Sequence, residues 1–308
     1  TLFNIKQSKL VLRLSLFTFF ISFFSFSQEL TLDSLKVNNL KEVTVSSVRA
    51  TEKTPITFTN VSKEQIEPRN LGQDIPVLLN YLPSVVTTTD AGNGVGYTSI
   101  RVRGSDGSRI NVTLNGIPFN DSESHGTFFV NLPDFASSLE SVQLQRGVGT
   151  STNGAGAFGA SLNMETKSYQ EQSHAEISNS AGSFGTRKHT LSFGTGLHNN
   201  FEFNGRISQI SSEGYIDRAY YVKESTLIKF IAFGGKEKTY QSWYGLEDLD
   251  KLENDRTYNS AGLYFDEFGN EQFYDDETDN YWQNHFQLHW SEKWSEKWSS
   301  NLALHYTL

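Results

Sequence analysis

Tyr281-Trp282-Gln283-Asn284-His285-Phe286-Gln287-Leu288-His289-Trp290 is the stretch that decides the architecture. Trp282, Phe286, Leu288 and Trp290 fall on one side, with Asn284 as the exception. Tyr281, Gln283, His285, Gln287 and His289 fall on the other. A period of two is that of a strand, whose successive side chains point to opposite faces. A soluble sandwich alternates in the same way, so the ends of the run have to separate the cases. Trp282 and Trp290 share the apolar face and, at ~3.3 Å per residue, stand ~26 Å apart. A tilt of ~40° turns this into ~20 Å of height, close to the spacing of the aromatic girdles on a transmembrane barrel strand.

The neighbours repeat the pattern. Leu302, Leu304, Tyr306 and Leu308 alternate, and Leu191, Phe193, Thr195 and Leu197 oppose Thr190, Ser192, Gly194 and Gly196. Phe201, Phe203, Gly205 and Ile207 oppose Glu202, Asn204, Arg206 and Ser208, so the charges lie on the polar face, as a hydrated lumen requires. Residues 169–308 are therefore expected to be the first strands of an antiparallel transmembrane β-barrel. They supply about six strands, fewer than the eight of the smallest barrels. The barrel should be incomplete in this chain, which also opens on Thr1 where an initiating Met would stand.

Connection lengths set a parity. Ser183-Phe184-Gly185 and His198-Asn199-Asn200 are short, whereas 240–280 is long and carries twelve acids against Lys251 and Arg256, with nine aromatics interleaved. Such barrels keep long loops outside. Reading one strand over 226–239 puts the acidic loop on the wrong side, so one strand is expected to be missing or shortened near 218–225. The alternative is a strand hidden inside 240–280, where Gly262–Phe265 alternates. The acidic segment reads first as a solvated loop; substrate capture, or calcium on the Asp275–Asp279 run, shares the remainder.

Composition narrows the classes. A formal charge of −9 argues against nucleic acid, which needs a basic footprint. The absence of cysteine excludes disulfides, zinc-thiolate sites and thiol nucleophiles. Lys6, Lys9 and Arg13 precede an apolar run from Leu14 to Phe26, and Ser25-Phe26-Ser27 offers small residues before Gln28. This is the pattern of a cleaved export signal over 1–27. Removing its three cations takes the formal charge from −9 to −12. Residues 28–48 are a tether, in which Lys41-Glu42-Val43-Thr44-Val45-Ser46-Ser47 alternates and could add to another protein's sheet.

Residues 49–168 read as a mixed α/β domain: a small sheet with short helices. Ser62 and Gln65 make a capping-box pattern. Ile75, Leu78, Leu79 and Leu82 recur at helical spacing up to Pro83, and strands follow at Val85-Val86 and at Ile100 and Val102. Asn115-Gly116 between Asn111–Leu114 and Ile117–Phe119 is a hairpin signal. Leu139–Leu144 and Ala160–Met164 alternate as strands, and Gly-rich loops lie at 90–96 and 147–159.

Two motifs mislead. Gly154–Gly159 satisfies GxGxxG, but a strand follows it where a dinucleotide site needs a helix N-terminus. His285 and His289, on a strand, stand ~13 Å apart and read as lumen-facing polar residues, not as a metal pair. No cofactor or metal site and no catalytic constellation emerges, and an enzyme is not expected.

These blocks, in this order, resemble the TonB-dependent receptor family. Glu42-Val43-Thr44-Val45-Ser46 is similar to a TonB box. Ile100-Arg101-Val102-Arg103-Gly104 resembles the plug motif that ends in Arg103 and Gly104. The hairpin around Asn115 and Gly116 matches one usually written Asp-Gly. Glu140, Arg146 and Gly147, followed by 154–167, resemble the block that closes the plug. The resemblance implies a 22-stranded barrel when complete, occluded by a plug over 49–168. It also implies active import across the outer membrane of a Gram-negative bacterium, driven by the TonB transducer and its proton-powered inner-membrane complex. Partners would be the transducer, outer-membrane lipid and a small-molecule metal chelate. Only 28–40 precedes the TonB box, which favours a siderophore, ferric-citrate or cobalamin type over a glycan importer; a non-transporting surface barrel is the rival from another class. Candidate cargo contacts are Asp90, Asn93 and Tyr97 on one plug apex and Asp121, His125 and Phe128 on the other.

Overall fold

The computed structural model describes residues 49–149, 157–167, 170–196, 198, 202–228, 232–293 and 299–308. The expected export segment, the tether, Glu42–Ser46 and Gly154–Gly156 lie outside them.

The first part is built on a five-stranded mixed sheet in the order β1-β6-β7-β4-β5. These strands are β1 (Thr57–Ser62), β4 (Ile110–Leu114), β5 (Ile117–Pro118), β6 (Leu139–Arg146) and β7 (Ala160–Thr166). β4 runs parallel to β7 and the other pairs are antiparallel. β2 (Val85–Thr89) and β3 (Thr98–Val102) form a separate hairpin. Of two one-turn helices, α1 (Lys63–Ile66) packs against β1 and β6, and α2 (Ile75–Leu78) against the β2–β3 hairpin. The Ser62 N–H donates to Gln65 Oε1 at 3.0 Å, the back-bond of a capping box. Ile75, Leu78, Leu79 and Leu82 are all buried, and with Ile100, Val102, Leu114, Leu144, Leu162 and Met164 they make one core. Asn115 (φ 52°) and Gly116 (φ 81°) both occupy the left-handed region that a tight I′ hairpin requires.

One face of this sheet departs from its alternation. Gln143, Gln145 and Asn163 read as a solvated face, yet all three are buried. The segment entering the domain covers them: Gln143 exchanges hydrogen bonds with the Ala50 N–H (2.7 Å) and C=O (2.9 Å). Arg49 donates to Ser141 and to the Asn163 carbonyl and pairs with Glu165 at 3.2 Å.

The second part is a seven-stranded antiparallel wall in the order β16-β15-β12-β11-β10-β9-β8. Its strands are β8 (His174–Ala181), β9 (Arg187–Gly194), β10 (Asn204–Ser212), β11 (Tyr221–Ile228), β12 (Ala232–Tyr240), β15 (Thr278–Lys293) and β16 (Ser299–Thr307). The expected facing holds. Ile177, Leu191, Ile207, Trp282, Leu288, Leu302 and Leu304 are exposed on the side away from the plug. They stack across strands, as in Leu288 opposite Leu304 and Phe286 opposite Tyr306. Lys188, Thr190, Arg206, Ser208, His285 and Gln287 are buried against the plug. Phe193 lies across Gly205 of the next strand, where an added Cβ would meet the ring at 2.5 Å.

The missing-strand expectation is corrected. β11 pairs with β10 and β12, with Ile228 opposite Ala232, so 226–239 belongs to two antiparallel strands. The wall therefore has seven strands where about six were counted. The reversal was invisible because Thr226–Phe233 contains no Gly, Pro, Asn or Asp. β11 restores the parity that the acidic loop demands. That loop, 241–277, lies at the end that also holds the turn after β8, since the Glu213 N–H donates to the Phe184 carbonyl and the Asp217 N–H to Thr257. Within it, α3 (Leu249–Asn254) precedes a hairpin of β13 (Leu263–Phe265) and β14 (Glu271–Phe273), which pair with each other and not with the wall.

Leu162 is fully buried on β7, between β6 and β4. Leu162→Ala should cost the plug ~2–5 kcal/mol through lost burial and the cavity left behind. The check is a lower denaturant midpoint for loss of plug protease resistance.

Candidate functional site

The plug-motif residues make turns and braces. Arg103 (φ 52°) and Gly104 (φ 81°) reverse the chain after β3. Arg146 donates to the Pro83 carbonyl at 3.0 Å and to Thr59 Oγ1 at 2.9 Å, tying the end of β6 to β1 and to the start of β2. Burial first, and then the neighbouring Arg103 charge, lower its pKa. The Gly147 N–H donates to the Gly159 carbonyl at 2.9 Å; Gly147 takes φ 94°, and a Cβ on Gly159 would lie 2.5 Å from that of Ser105, so the first glycine permits the turn and the second the close crossing. Glu140 is the bulged residue of β6, between the pairs Leu139–Thr166 and Ser141–Glu165. Asn115 Oδ1 accepts from the Thr166 N–H at 2.9 Å, and Asn115 Nδ2 donates to Gln287 of the wall at 3.4 Å.

The two apices differ in how they are held. Loop 89–97 is seated on the wall. The Tyr215 N–H donates to the Ala91 carbonyl at 2.8 Å, and Asn93 Nδ2 donates to Ser212 Oγ at 2.5 Å. The Tyr97 hydroxyl donates to the Asp279 carboxylate. Burial pushes the Asp90 carboxyl up, and burial with the Asp279 hydrogen bond pushes the Tyr97 phenol above its usual range. The second apex is a self-contained turn. Asp121 accepts from the Ser124 N–H at 2.7 Å and from Ser124 Oγ at 2.8 Å, which hold its carboxyl below the ordinary value. His125 closes the turn with φ 58°, and Phe128 is exposed.

Among the wall carboxylates near these apices, Glu237 is one that the sequence did not single out. Tyr97 stands among Asp90, Glu237 and Asp279, and Tyr281 among Asp121, Glu237 and Asp279. Carboxylates and phenols thus gather near Tyr97 and Tyr281, with Glu237 itself buried, a setting suited to hydrogen-bond donors and positive charge. Among the described residues no three carboxylate or imidazole groups are placed to share a metal ion. Asp276 of the aspartate run pairs with Lys238 at 3.2 Å. His285 is packed between Phe119 and Phe233 and bonded to Gln287 and Thr307, a structural setting.

The strongest plug–wall contact lay in no motif. Asp134, at φ 47° ahead of the 3₁₀ turn Phe135–Ser138, buries its carboxylate completely between two wall strands. Lys188 Nζ of β9 lies 2.6 Å from Oδ1 and Arg206 Nη1 of β10 lies 3.0 Å from Oδ2. Thr190 Oγ1 donates at 2.9 Å and Ser137 Oγ at 2.5 Å. The lumen-facing Lys188 and Arg206 on adjacent strands were the legible half of this cluster: two cations so buried require an anion.

Burial alone would raise the Asp134 carboxyl, but Arg206 and Lys188 overcome it and hold the group below the ordinary carboxylate range. Its stabilisation is therefore full above the unfolded value of ~3.9 and is lost as pH falls through the lower folded value. In the full-length protein the plug should stay protease-resistant down to below that pH. Asp134→Asn, which leaves two buried cations, should loosen the plug already at neutral pH, at a cost of ~3–5 kcal/mol. Equal protease resistance of the variant and the parent at pH 7 would contradict this.

Residues 50–161 match the TonB-dependent receptor plug domain family. Among solved structures, the chain is similar to FpvA of P. aeruginosa, determined with bound pyoverdine (TM-score 0.58, 14% identity, 83% of this chain and 34% of that one). It is similar to the siderophore receptor PirA of Acinetobacter baumannii (TM-score 0.53, 16% identity, 81% and 39%). It is also similar to the copper transporter OprC (TM-score 0.56, 14% identity, 84% and 38%). No curated protein matches it. The chain spans somewhat over a third of the length of these structures. Residues 50–161 thus carry the match to the plug-domain family, and the strands after them share the fold of the corresponding part of these solved structures.

Proposed function

We propose that this chain is the N-terminal part of an outer-membrane importer that takes up a scarce metal chelate by energy-coupled transport. The observation that carries the reading is the seat of the plug. A folded domain fills the polar side of a wall whose other side is apolar, so the lumen is occluded at rest and must be opened by work. With an export signal over 1–27 and a strand-adding segment at 42–46, that work would be supplied by the TonB transducer from the periplasm. Arg49 and Ala50, the first described residues, bond directly to the centre of β6 and β7, so a pull on 42–46 is delivered into the plug.

The cargo reading rests on likeness and charge. FpvA was determined with an iron–pyoverdine complex, PirA is a siderophore receptor and OprC is a copper transporter. The carboxylate-phenol surface around Tyr97 and Tyr281 favours a chelate that is neutral or cationic over polyanionic ferric citrate. Plug over 49–168, wall over 169–308 and cargo contacts at Asp90, Asn93, Tyr97, Asp121, His125 and Phe128 are parts of the same proposal.

Proline cannot donate a ladder hydrogen bond. In the full-length protein, Val43→Pro should abolish accumulation of labelled iron chelate while leaving binding at the cell surface intact. Parallel loss of binding and uptake would count against transducer coupling at 42–46. Unchanged uptake in cells lacking the transducer would count against the importer reading as a whole.

A further inference from the structure

We propose that the outward face of the wall, at its loop-bearing end, seats the headgroup of a phosphorylated glycolipid. This rests on the outer-membrane part of the reading above and not on import. The strand register defines the place. One row across the sheet runs from His189 to Gln209, Glu224, Lys236 and Trp282, each opposite the next. Two residues further toward the loops, Arg187 opposes Ser211 and Lys238 opposes Asn280. Arg187, His189, Lys236 and Lys238 are all exposed, whereas Lys188, Thr190, Glu237 and Thr239, which alternate with them, are buried. The exposed four therefore share the outward face with Leu191 and Trp282.

On that face the chemistry changes within one row. Ile177, Leu191 and Ile207 stand side by side just below and are exposed apolar groups. Leu288, Leu302 and Leu304 continue the apolar band toward the opposite end. Among the described residues of the wall, no cation stands on this face within the band. A cation on the lipid side of a barrel strand is costly at the bilayer midplane and nearly free at the interface. Trp282, with Lys236 Nζ 5.4 Å from its ring centroid, marks that interface. Arg187 and Lys238 lie one step beyond it, at headgroup depth.

Charge and spacing select the occupant. The chain is formally −9, and the loop above this face is acidic, so cations kept at this depth are not the general character of the surface. Arg187 on β9 and Lys238 on β12 are three strand spacings apart, ~14 Å at the ~4.8 Å separation of neighbouring strands. Gln209 and Ser211 lie between them and offer amide and hydroxyl groups to a sugar. The layout fits a disaccharide with a phosphate at each end: the guanidinium takes one phosphate through paired N–H donors and the ammonium takes the other as a point charge. Glu224, central in the lower row, keeps the anionic groups to the two sides. Lys238 Nζ is 3.2 Å from Asp276, with both side chains open to water. So exposed an ion pair is weak, and a phosphate can displace the carboxylate.

The test uses the full-length protein, purified in detergent and stripped of lipid. Native mass spectrometry follows the binding of an acylated glucosamine disaccharide bisphosphate, its phosphate-free counterpart and phosphatidylglycerol. The bisphosphate should bind about tenfold tighter than the other two, the scale of a charge-assisted hydrogen bond. Arg187→Gln with Lys238→Gln should erase that preference, and Lys251→Gln with Arg256→Gln in the loop should leave it unchanged. Each single change at 187 or 238 should remove part of it, and serves if the pair fails to fold. Equal affinity for the bisphosphate and its phosphate-free counterpart would overturn the site, as would a preference that survives in the 187/238 variant. Competition by millimolar inorganic phosphate would reduce it to a plain anion site and overturn the headgroup assignment. Binding of no lipid at all would bring down the membrane reading of the wall, and the site with it. Uptake is not measured, so the importer proposal can fail while this site stands.

Discussion

A carboxylate stripped of water between two cations from different strands holds the two halves of this molecule in register. Asp134 offers both oxygens, one to Lys188 and one to Arg206, and takes further bonds from Ser137 and Thr190. Desolvating three charges is repaid only when the geometry is complete, and removing one partner leaves the others stranded. The plug cannot slide along the wall by small steps without passing through that stranded state. The contact is therefore strong at rest and abrupt in failure.

Around this anchor the plug is held unevenly. Loop 89–97 is seated by Asn93 on Ser212, by Ala91 under Tyr215 and by Tyr97 on Asp279, so one apex is coupled to the outer connections of the wall. The hairpin at Asn115 and the rings of Phe119 and Phe135 fill the space against β12 and β15. Segment 63–70 borders the cavities along the inner face of β8–β10. Different parts of the plug surface thus meet the wall through different kinds of contact.

Much of this was legible because period-two patterns and turn chemistry are local. The faces of β9, β10, β15 and β16 follow directly from their alternation, and Asn115-Gly116 could hardly be other than a tight hairpin. What escaped was non-local or unsignalled. The reversal between Ile228 and Ala232 carries no turn residue, so two strands read as one. Gln143 and Gln145 alternate as a solvated face, and only the return of Arg49 and Ala50 over the sheet buries them. Asp134 sits in a loop with no motif; its role arises from cations more than fifty residues away along the chain. Glu237 and Asp279 come near Tyr97 for the same reason, through the packing of the wall against the plug.

The claim that one buried carboxylate fastens plug to wall is open to a double-mutant cycle in the full-length protein. Asp134→Asn, Arg206→Gln and the pair would be compared by the denaturant midpoint at which the plug loses protease resistance. The expected result is strong non-additivity, a coupling of roughly 1–3 kcal/mol, with the pair far less damaged than the sum of the single changes. Additive losses would contradict the account, because they would mean that Asp134 and Arg206 stabilise the molecule independently and the plug is held elsewhere.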